Sequence, residues 1–232
     1  YNQAIYDICK PFTREIRTFA RFPKTYITDD LNEHNMQVLK FGGSSVADAA
    51  NMSKVTDIVI NAVDRDRTIL VVSAIQGCTD TLIRIGNLAA ERDEHYKDLI
   101  NELQVKHHHI IRELLPMEKQ EESLEICDSL FDSLRSITQG VCLLGELSPA
   151  SLDAVLSFGE LWSTKILATK LASIGIATKW IDSRQIVRTV AKGDKNIVDV
   201  QKTYSRVNEM VENNHITQLF VLPGFIASDK QG

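Results

Sequence analysis

A lysine followed closely by two glycines and two serines could bind phosphate. Residues 37–45 read QVLKFGGSS. The apolar residues before the glycines predict a β-strand, and either serine can cap a helix that follows. Gly42 and Gly43 let backbone N–H groups approach an anion, which the N-terminus of a helix also attracts. With the charge of Lys40 added, this turn could bind a phosphoryl group during its transfer.

The same turn also has a purely structural interpretation. A buried strand can end in an ordinary tight turn, with the Lys40 side chain reaching past apolar neighbours to solvent. The pattern is not a Walker A loop, because no Gly-Lys-Ser/Thr closes it. The residue types alone therefore leave phosphate binding and a plain turn equally open.

Thr79 and Glu160 are two further polar residues with both a functional and a structural interpretation. Thr79 follows a predicted buried strand, at the end where open α/β sheets bind ligands, but threonine is also an ordinary helix cap. Glu160 follows a glycine near the start of a predicted helix or inside it. It would be either a surface carboxylate favoured by the helix dipole or an anion that holds an ammonium group.

The elements around these residues predict a parallel sheet. A helix predicted over residues 45–64, capped by Ser44 or Ser45, leads to a continuous β-branched strand over residues 68–73. A strand, helix and strand of these lengths form a βαβ unit. Further along we predict helices over 82–147 with breaks at Pro116 and Gly140, a helix through Leu161, strands over 176–181 and 218–222, and a helix capped by Asp199. The charged residues 192–195 predict a solvated hairpin tip or a flap over the site.

Residues 1–35 do not follow this pattern. They mix charged and aromatic residues without clear periodicity, and they lack the apolar centre of a signal peptide. We interpret them as an N-terminal extension or tag of unknown role, or as a small docked helix around residues 6–19. Met36, directly before the first core strand, would then be the natural start.

The composition is that of an ordinary globular domain. Of 232 residues, 44% are hydrophobic and 25% are charged, and the net charge of −5 comes without a basic stripe, which argues against nucleic acid as a partner. No apolar run approaches the about 20 residues that cross a bilayer. The four cysteines form no CxxC pair, which favours a reduced, cytoplasmic protein. Residues 107–109 are three histidines, but neighbours on a helix point about 100° apart and cannot converge on one metal ion. We expect these three residues to lie at the surface or to be partly packed.

Three stretches resemble the signatures of a known enzyme family. Residues 40–48 (KFGGSSVAD) resemble the opening signature of aspartate kinases, which belong to the amino acid kinase superfamily. Residues 71–80 (VVSAIQGCTD) and 157–163 (SFGELWS) resemble the second and third signatures, in the family's order. The resemblance covers the chain from Met36 onwards. It implies an α/β three-layer sandwich with a mostly parallel central sheet.

The resemblance also implies a reaction and its site. Aspartate kinases transfer the γ-phosphoryl group of ATP, bound with Mg²⁺, to the β-carboxylate of L-aspartate, which gives 4-phospho-L-aspartate for lysine, threonine and methionine biosynthesis. The implied site residues are Lys40, Gly42, Gly43 and Ser44 for the phosphoryl group, with Lys40 catalytic, and Ser45, Thr79 and Glu160 for aspartate. No side chain is assigned to a metal, and the full-length enzyme would be a homo-oligomer.

The resemblance stops before the family's second half. Aspartate kinases continue with a Leu-Gly-Arg-Gly-Gly-Ser-Asp stretch, a nucleotide-binding lobe and usually ACT domains, none of which this sequence contains. We therefore expect residues 36–232 to be the substrate-binding part of a kinase domain that is inactive alone. The sequence leaves open whether a homoserine dehydrogenase is fused to it, and whether lysine or threonine regulates it.

Two alternatives remain from the sequence. The chain could belong to another amino acid kinase, which phosphorylates glutamate, acetylglutamate or a carbamate. It could also be a non-catalytic module that binds an acid or assembles with partners.

Overall fold

Five parallel strands form a sheet in the computed structural model, which describes residues 13–18, 36–192 and 195–229, with side chains from residue 36 onwards except at residue 195. The strands of the chain are β1 (Thr13–Thr18), β2 (Met36–Phe41), β3 (Arg67–Val72), β4 (Thr178–Trp180), β5 (Thr189–Lys192), β6 (Lys195–Val198) and β7 (Leu219–Pro223). The sheet has the order β1-β2-β3-β7-β4, and each neighbouring pair is parallel. β5 and β6 form a separate antiparallel hairpin.

Helices connect the strands and cover the sheet. They are α1 (Ala49–Val63), α2 (Cys78–Ala90), α3 (His95–Leu114), α4 (Met117–Leu144), α5 (Pro149–Ser173), α6 (Ser183–Ile186) and α7 (Val200–Glu212), with a short 3₁₀ helix at Gly43–Val46. None of the helices in the described ranges is both long and apolar enough to cross a membrane.

Each face of the sheet carries its own apolar core. Alternate strand residues point to opposite faces, so Leu39, Leu70 and Val221 pack against α1 to α5, whereas Val38, Ile69 and Phe220 pack with residues of α6 and α7. β3 is buried over nearly its whole length because both of its faces are covered. This confirms the predicted α/β sandwich with a parallel central sheet.

A buried aromatic cluster joins the helices of the thicker layer. His107 of α3 lies 4.8 Å from the ring of Trp162 and 5.6 Å from that of Phe131, between ring centroids. Burial lowers the pKa of His107 to about 4, so its ring is neutral near pH 7. The prediction that residues 107–109 lie at the surface or are partly packed is therefore wrong for His107, which is fully buried. Across the described ranges, no cluster of His, Cys, Asp or Glu side chains could hold a metal ion.

Several predicted boundaries need correction. Asp48, not Ser44 or Ser45, caps α1, because its carboxylate accepts a hydrogen bond from the backbone N–H of Asn51 while the two serines lie in the 3₁₀ turn. Gly140 does not break α4, which continues to Leu144 and ends at Gly145 in a left-handed conformation. A helix was predicted around residues 6–19, but residues 13–18 form β1; the rest of that stretch lies outside the described residues.

Two later predictions are confirmed. β5 and β6 pair antiparallel from Thr189↔Val198 to Lys192↔Lys195, as the predicted hairpin requires. Residues 193 and 194, at its predicted tip, lie outside the described residues, and the choice between a solvated tip and a flap stays a prediction. Asp199 caps α7, and its carboxylate accepts a hydrogen bond from the backbone N–H of Lys202.

Candidate active site

A cleft of about 740 Å³ lies at the edge of the sheet where the parallel strands end. Its lining comes from the turn after β2, the loop after β3, helices α2 and α5, the β5–β6 hairpin and the segment after β7. Open parallel sheets bind ligands at this edge, because the loops that follow the strands meet there. Of the residues predicted from the sequence, the lining includes Gly43, Thr79 and Glu160.

Two glycines bring the walls of this cleft together at Ala74, in the loop after β3. A Cβ atom on Gly43 would lie 2.8 Å from the Ala74 carbonyl oxygen, and one on Gly159 would lie 2.8 Å from the Ala74 Cβ. Neither distance is tolerable for a real Cβ. The turn after β2 and helix α5 can therefore both touch this loop only because both positions lack a side chain.

Glu160 lies near the middle of α5, and its side chain is buried at the cleft. The interpretation as a surface carboxylate near a helix N-terminus is therefore wrong. Its carboxylate accepts a hydrogen bond from the backbone N–H of Ala74, but burial is the larger influence and raises its pKa. No cationic side chain among the described residues contributes to this shift. The result is a buried acid that a cationic ligand would stabilise in its charged form.

Hydrogen bonds hold α5 against the loop after β3. The Ser163 hydroxyl donates to the carbonyl oxygen of Ser73 at 2.9 Å, one turn beyond Glu160. The Thr164 hydroxyl donates to the carbonyl oxygen of Glu160 at 2.7 Å and accepts from the Trp180 indole N–H at 2.9 Å. These contacts fix the helix that carries Glu160, so the position of its carboxylate is set by buried structure.

Thr79 lies at the second position of α2, exposed on the cleft wall. Gly77 occupies the cap position with φ of +80°, a conformation that favours glycine, and no side chain caps this helix. The alternative interpretation of Thr79 as the helix cap is therefore wrong, and its hydroxyl lies at the cleft. Cys78 beside it is buried, and its pKa is raised to about 12, so the thiol stays protonated and is not a nucleophile.

Lys40 lies at the margin of the cleft. Its ammonium nitrogen is 5.0 Å from the ring centroid of Phe225, which lines the cleft, and burial lowers the pKa of Lys40. The lining does not include Lys40 itself, nor Gly42, Ser44 and Ser45. Lys40 belongs to β2, and the other three belong to the adjoining turn, which is closed by a 2.9 Å hydrogen bond from the Ser45 N–H to the Gly42 carbonyl oxygen.

Sequence reasoning names no site residue on the opposite wall of the cleft, although a flap over the site is one of its two interpretations of residues 192–195. That wall contains Arg184, Thr189, Asn196 and residues 225–229. Asp182 holds Arg184 in place. The Nε and one terminal guanidinium nitrogen of Arg184 donate hydrogen bonds to the Asp182 carboxylate oxygens, with N···O distances of 2.6 to 3.1 Å. For Arg184 and residues 225–229 a positional signal exists, because they follow the carboxyl ends of β4 and β7, the same edge that Gly43 and Thr79 occupy.

The sequence profile of the amino acid kinase family matches residues 35–232. Among characterised proteins, the bifunctional aspartokinase/homoserine dehydrogenase 2 of Arabidopsis thaliana chloroplasts is 28% identical over 196 residues, which are 84% of this chain and 21% of that protein. The chloroplastic aspartokinase 3 of the same plant is 31% identical over 173 residues, which are 74% of this chain and 30% of that protein. The chain thus spans less than a third of the length of these two relatives.

Solved structures of E. coli aspartokinase III share the fold. The complex with aspartate and ADP superposes with a TM-score of 0.73 at 24% identity, over 84% of this chain and 42% of that one. The complex with lysine and aspartate gives a TM-score of 0.71 at 25% identity, with the same coverage.

Proposed function

The chain belongs to the amino acid kinase family, and from this premise we propose that the protein it represents is an aspartate kinase. The proposed reaction transfers the γ-phosphoryl group of ATP to the β-carboxylate of L-aspartate. The observation that carries the proposal is one cleft lined by Gly43, Thr79 and the buried Glu160. The names of the relatives and the aspartate bound to the E. coli enzymes support the choice of acceptor.

The acceptor group needs no general base. A carboxylate with a pKa of about 4 is already ionised at neutral pH, so catalysis must bring two anions together and stabilise the charge of the transferring group. We assign this electrostatic role to Lys40. Its ammonium nitrogen lies 5.0 Å from the ring centroid of Phe225, which lines the cleft, so the charge is beside the cleft.

Aspartate would be held by Glu160, Thr79 and Ser45. Glu160 would bind the α-ammonium group, since a buried acid without a cationic partner among the described residues gains most from a ligand that brings one. The Thr79 hydroxyl, exposed on the same wall, would donate to a substrate carboxylate. Fixing both ends of the molecule would orient the β-carboxylate for attack.

The backbone of Gly42, Gly43 and Ser44 would bind the phosphoryl oxygens. Gly43 fits this role, because it lines the cleft and leaves the backbone of the turn without a Cβ between it and a phosphoryl oxygen. The Mg²⁺ ion would arrive with ATP as part of the substrate, held mainly by its phosphates.

We assign residues 36–232 to the substrate-binding part of the kinase domain and residues 1–35 to an N-terminal extension. Nucleotide binding beyond the phosphates is assigned to sequence outside these 232 residues, since the chain spans only 21% and 30% of the two relatives. A homo-oligomeric assembly and a cytoplasmic location stay predictions, and the plant relatives are chloroplastic.

The test is acceptor-dependent release of ADP from ATP and Mg²⁺, measured for this chain and for its full-length polypeptide. The acceptor panel contains L-aspartate, L-glutamate, N-acetylglutamate and carbamate. The proposal predicts turnover by the full-length protein with L-aspartate alone. A preference for another acceptor would assign a different amino acid kinase, and aspartate binding without ADP release would indicate a non-catalytic module.

A further inference from the structure

Arg188 connects two segments that line the same wall of the cleft. It lies between α6 and β5 and forms an isolated parallel bridge with Ser228, in the segment after β7. One guanidinium nitrogen of Arg188 donates to the Ser228 hydroxyl at 2.6 Å and to the carbonyl oxygen of Asp229 at 3.0 Å. These hydrogen bonds join parts of the chain that are about 40 residues apart. Because the donor is charged, they are stronger than hydrogen bonds between neutral groups.

Ser228 is the centre of this contact. It is buried, and its hydroxyl, which accepts from Arg188, also donates to the carbonyl oxygen of Arg184 at 2.5 Å. Its backbone N–H donates to the Val187 carbonyl oxygen at 3.1 Å, and its own carbonyl accepts from the Thr189 N–H at 2.9 Å. The segment after β7 is thereby tied to the base of the hairpin on both sides of Arg188.

The backbone of Arg188 is held equally firmly. Its N–H donates to the Thr203 hydroxyl at 3.0 Å, and its carbonyl oxygen accepts from the Asp199 N–H at 2.7 Å. Both partners belong to the start of α7. The backbone of Arg188 is therefore fixed by α7, and its guanidinium group donates two hydrogen bonds to the segment after β7.

The arrangement carries a cost as well as these hydrogen bonds. The Nε of Arg188 is buried without a hydrogen-bond acceptor among the described residues, a cost that a smaller side chain would avoid. The segments that Arg188 joins contain Thr189, Asn196 and residues 225–229, which form one wall of the cleft opposite Thr79 and Glu160.

We propose that Arg188 is a positioning residue for the substrate. It holds residues 225–229 in register with the β5–β6 hairpin and so sets the distance between the two walls of the cleft. This inference rests on the proposed aspartate kinase function. Because a wall contacts the bound substrate in the ground state and the transition state alike, its displacement weakens binding more than it slows the chemical step.

The experiment compares Arg188→Met, Arg188→Lys and Ser228→Ala in the full-length protein. Arg67→Met is the matched control, because Arg67 also donates to two backbone carbonyls far along the chain, those of Thr217 and Asn214, but at the opposite edge of the sheet from the cleft. We expect Arg188→Met to raise KM for aspartate about tenfold or more while kcat changes less than about threefold. Arg188→Lys, which keeps a charged donor, recovers part of the loss, and Arg67→Met leaves KM unchanged.

The double variant Arg188→Met/Ser228→Ala tests whether Arg188 acts through Ser228. When two residues form one contact, the effects of replacing each are not additive. The double variant should therefore raise KM hardly more than Arg188→Met alone. Full additivity, or a KM for Arg188→Met within twofold of wild type, overturns the proposal.

Hydrogen exchange separates this proposal from the proposed function. In Arg188→Met the amides of residues 225–229 and Thr189 should exchange at least about tenfold faster, while those of β3 remain protected. Unchanged exchange in these segments overturns the role of Arg188 even if KM rises. Failure of the proposed function would appear in the wild-type protein as no aspartate-dependent ADP release, and exchange would still decide whether Arg188 holds the wall.

Discussion

The burial of Glu160 makes the stability of the empty protein depend on pH. Burial raises the pKa of its carboxyl, so above the ordinary glutamate pKa the folded state binds more protons than the unfolded state. Stability then falls as pH rises from the ordinary value to the raised one. Glu160→Gln removes this loss and keeps an acceptor for the Ala74 N–H. We expect the variant to match wild type at low pH and to be the more stable protein near pH 8, in urea titrations without aspartate.

The control for this prediction is Glu146→Gln, at an exposed carboxylate. It should show no difference from wild type that grows with pH. If Glu160→Gln were less stable than wild type at high pH, a cation of the protein itself would already stabilise the Glu160 carboxylate. The assignment of Glu160 as the binding site for a ligand's cation would then be wrong.

Removal of the same charge should weaken aspartate binding selectively. If Glu160 binds the α-ammonium group, Glu160→Gln leaves that cation without its partner, and we expect roughly a hundredfold weaker aspartate binding. Affinity for ATP should stay nearly unchanged, because the residue does not belong to the glycine turn. Calorimetric titration of each substrate with the full-length protein measures both. Equal losses for aspartate and ATP would indicate a structural residue.

Lys40→Ala should abolish most of the turnover while the protein stays folded. Loss of a charge that stabilises the transferring phosphoryl group costs about 10²- to 10³-fold in kcat. Lys54→Ala, at an exposed lysine of α1, is the control and should retain full activity. Circular dichroism measures whether each variant is folded, and ADP release measures its activity. A folded Lys40→Ala protein with the wild-type rate would refute the assigned role.

At the level of single residues, sequence reasoning found one wall of the cleft. Gly43, Thr79 and Glu160 are all predicted residues that line it. Short local sequence patterns were enough for these predictions, because each residue belongs to a signature directly after a strand or inside a helix. Thr189 and Asn196 could not be found in this way, since a hairpin reaches the cleft only through long-range contacts, such as the bond from the Thr189 N–H to the Ser228 carbonyl.

At the level of elements, the turn after β2, the loop after β3 and helix α5 meet at Ala74. Gly43 and Gly159 allow this contact in two different ways that can be tested. Gly159→Ala and Gly43→Ala should each cost about 1–3 kcal/mol, because a new Cβ meets an atom at 2.8 Å in both cases. The obstacle for Gly159 is the Ala74 side chain, whereas for Gly43 it is the Ala74 carbonyl oxygen. Ala74→Gly should therefore rescue Gly159→Ala and leave Gly43→Ala unrescued.

Urea unfolding of the single and double variants measures the two coupling energies. We expect a coupling of about 1 kcal/mol or more for Gly159 with Ala74, and additivity for Gly43 with Ala74. Gly140→Ala serves as control, since open space surrounds that position and a helix gains about 0.5–1 kcal/mol when glycine is replaced by alanine. Rescue of both variants, or of neither, would show that the walls do not meet at Ala74 as described.

The sequence predicted helices and strands well where apolar periodicity was strong and poorly where a single residue decided a boundary. β3 lies at Arg67–Val72, close to the predicted residues 68–73, because the five consecutive apolar or β-branched residues from Thr68 to Val72 allow no other buried element. The predicted start of α1 is wrong, since Ser45 and Asp48 are both good caps and only the 3₁₀ turn, which contains Ser45, selects Asp48. The break predicted at Gly140 is wrong, because one glycine costs a helix of 28 residues little.

At the level of the whole molecule, β1 extends the sheet beyond the part that matches the family. The family profile begins at residue 35, whereas β1 is Thr13–Thr18 and pairs with β2 from Thr13↔Met36 to Thr18↔Lys40. β1 thus covers an edge of the strand that carries Lys40. An uncovered edge presents unpaired backbone groups and invites aggregation.

Deletion of residues 1–35 should therefore uncover β2 without unfolding the sheet. We expect amides of β2 to exchange at least about tenfold faster while those of β7, between two strands, stay protected. Ile16→Pro is the matched variant, because it removes a backbone donor from β1 while the segment remains. Both changes should lower the urea midpoint, the deletion more than the proline. If exchange in β2 is the same in all three proteins, β1 does not pair with it in solution, and the sheet begins at the family's own first strand.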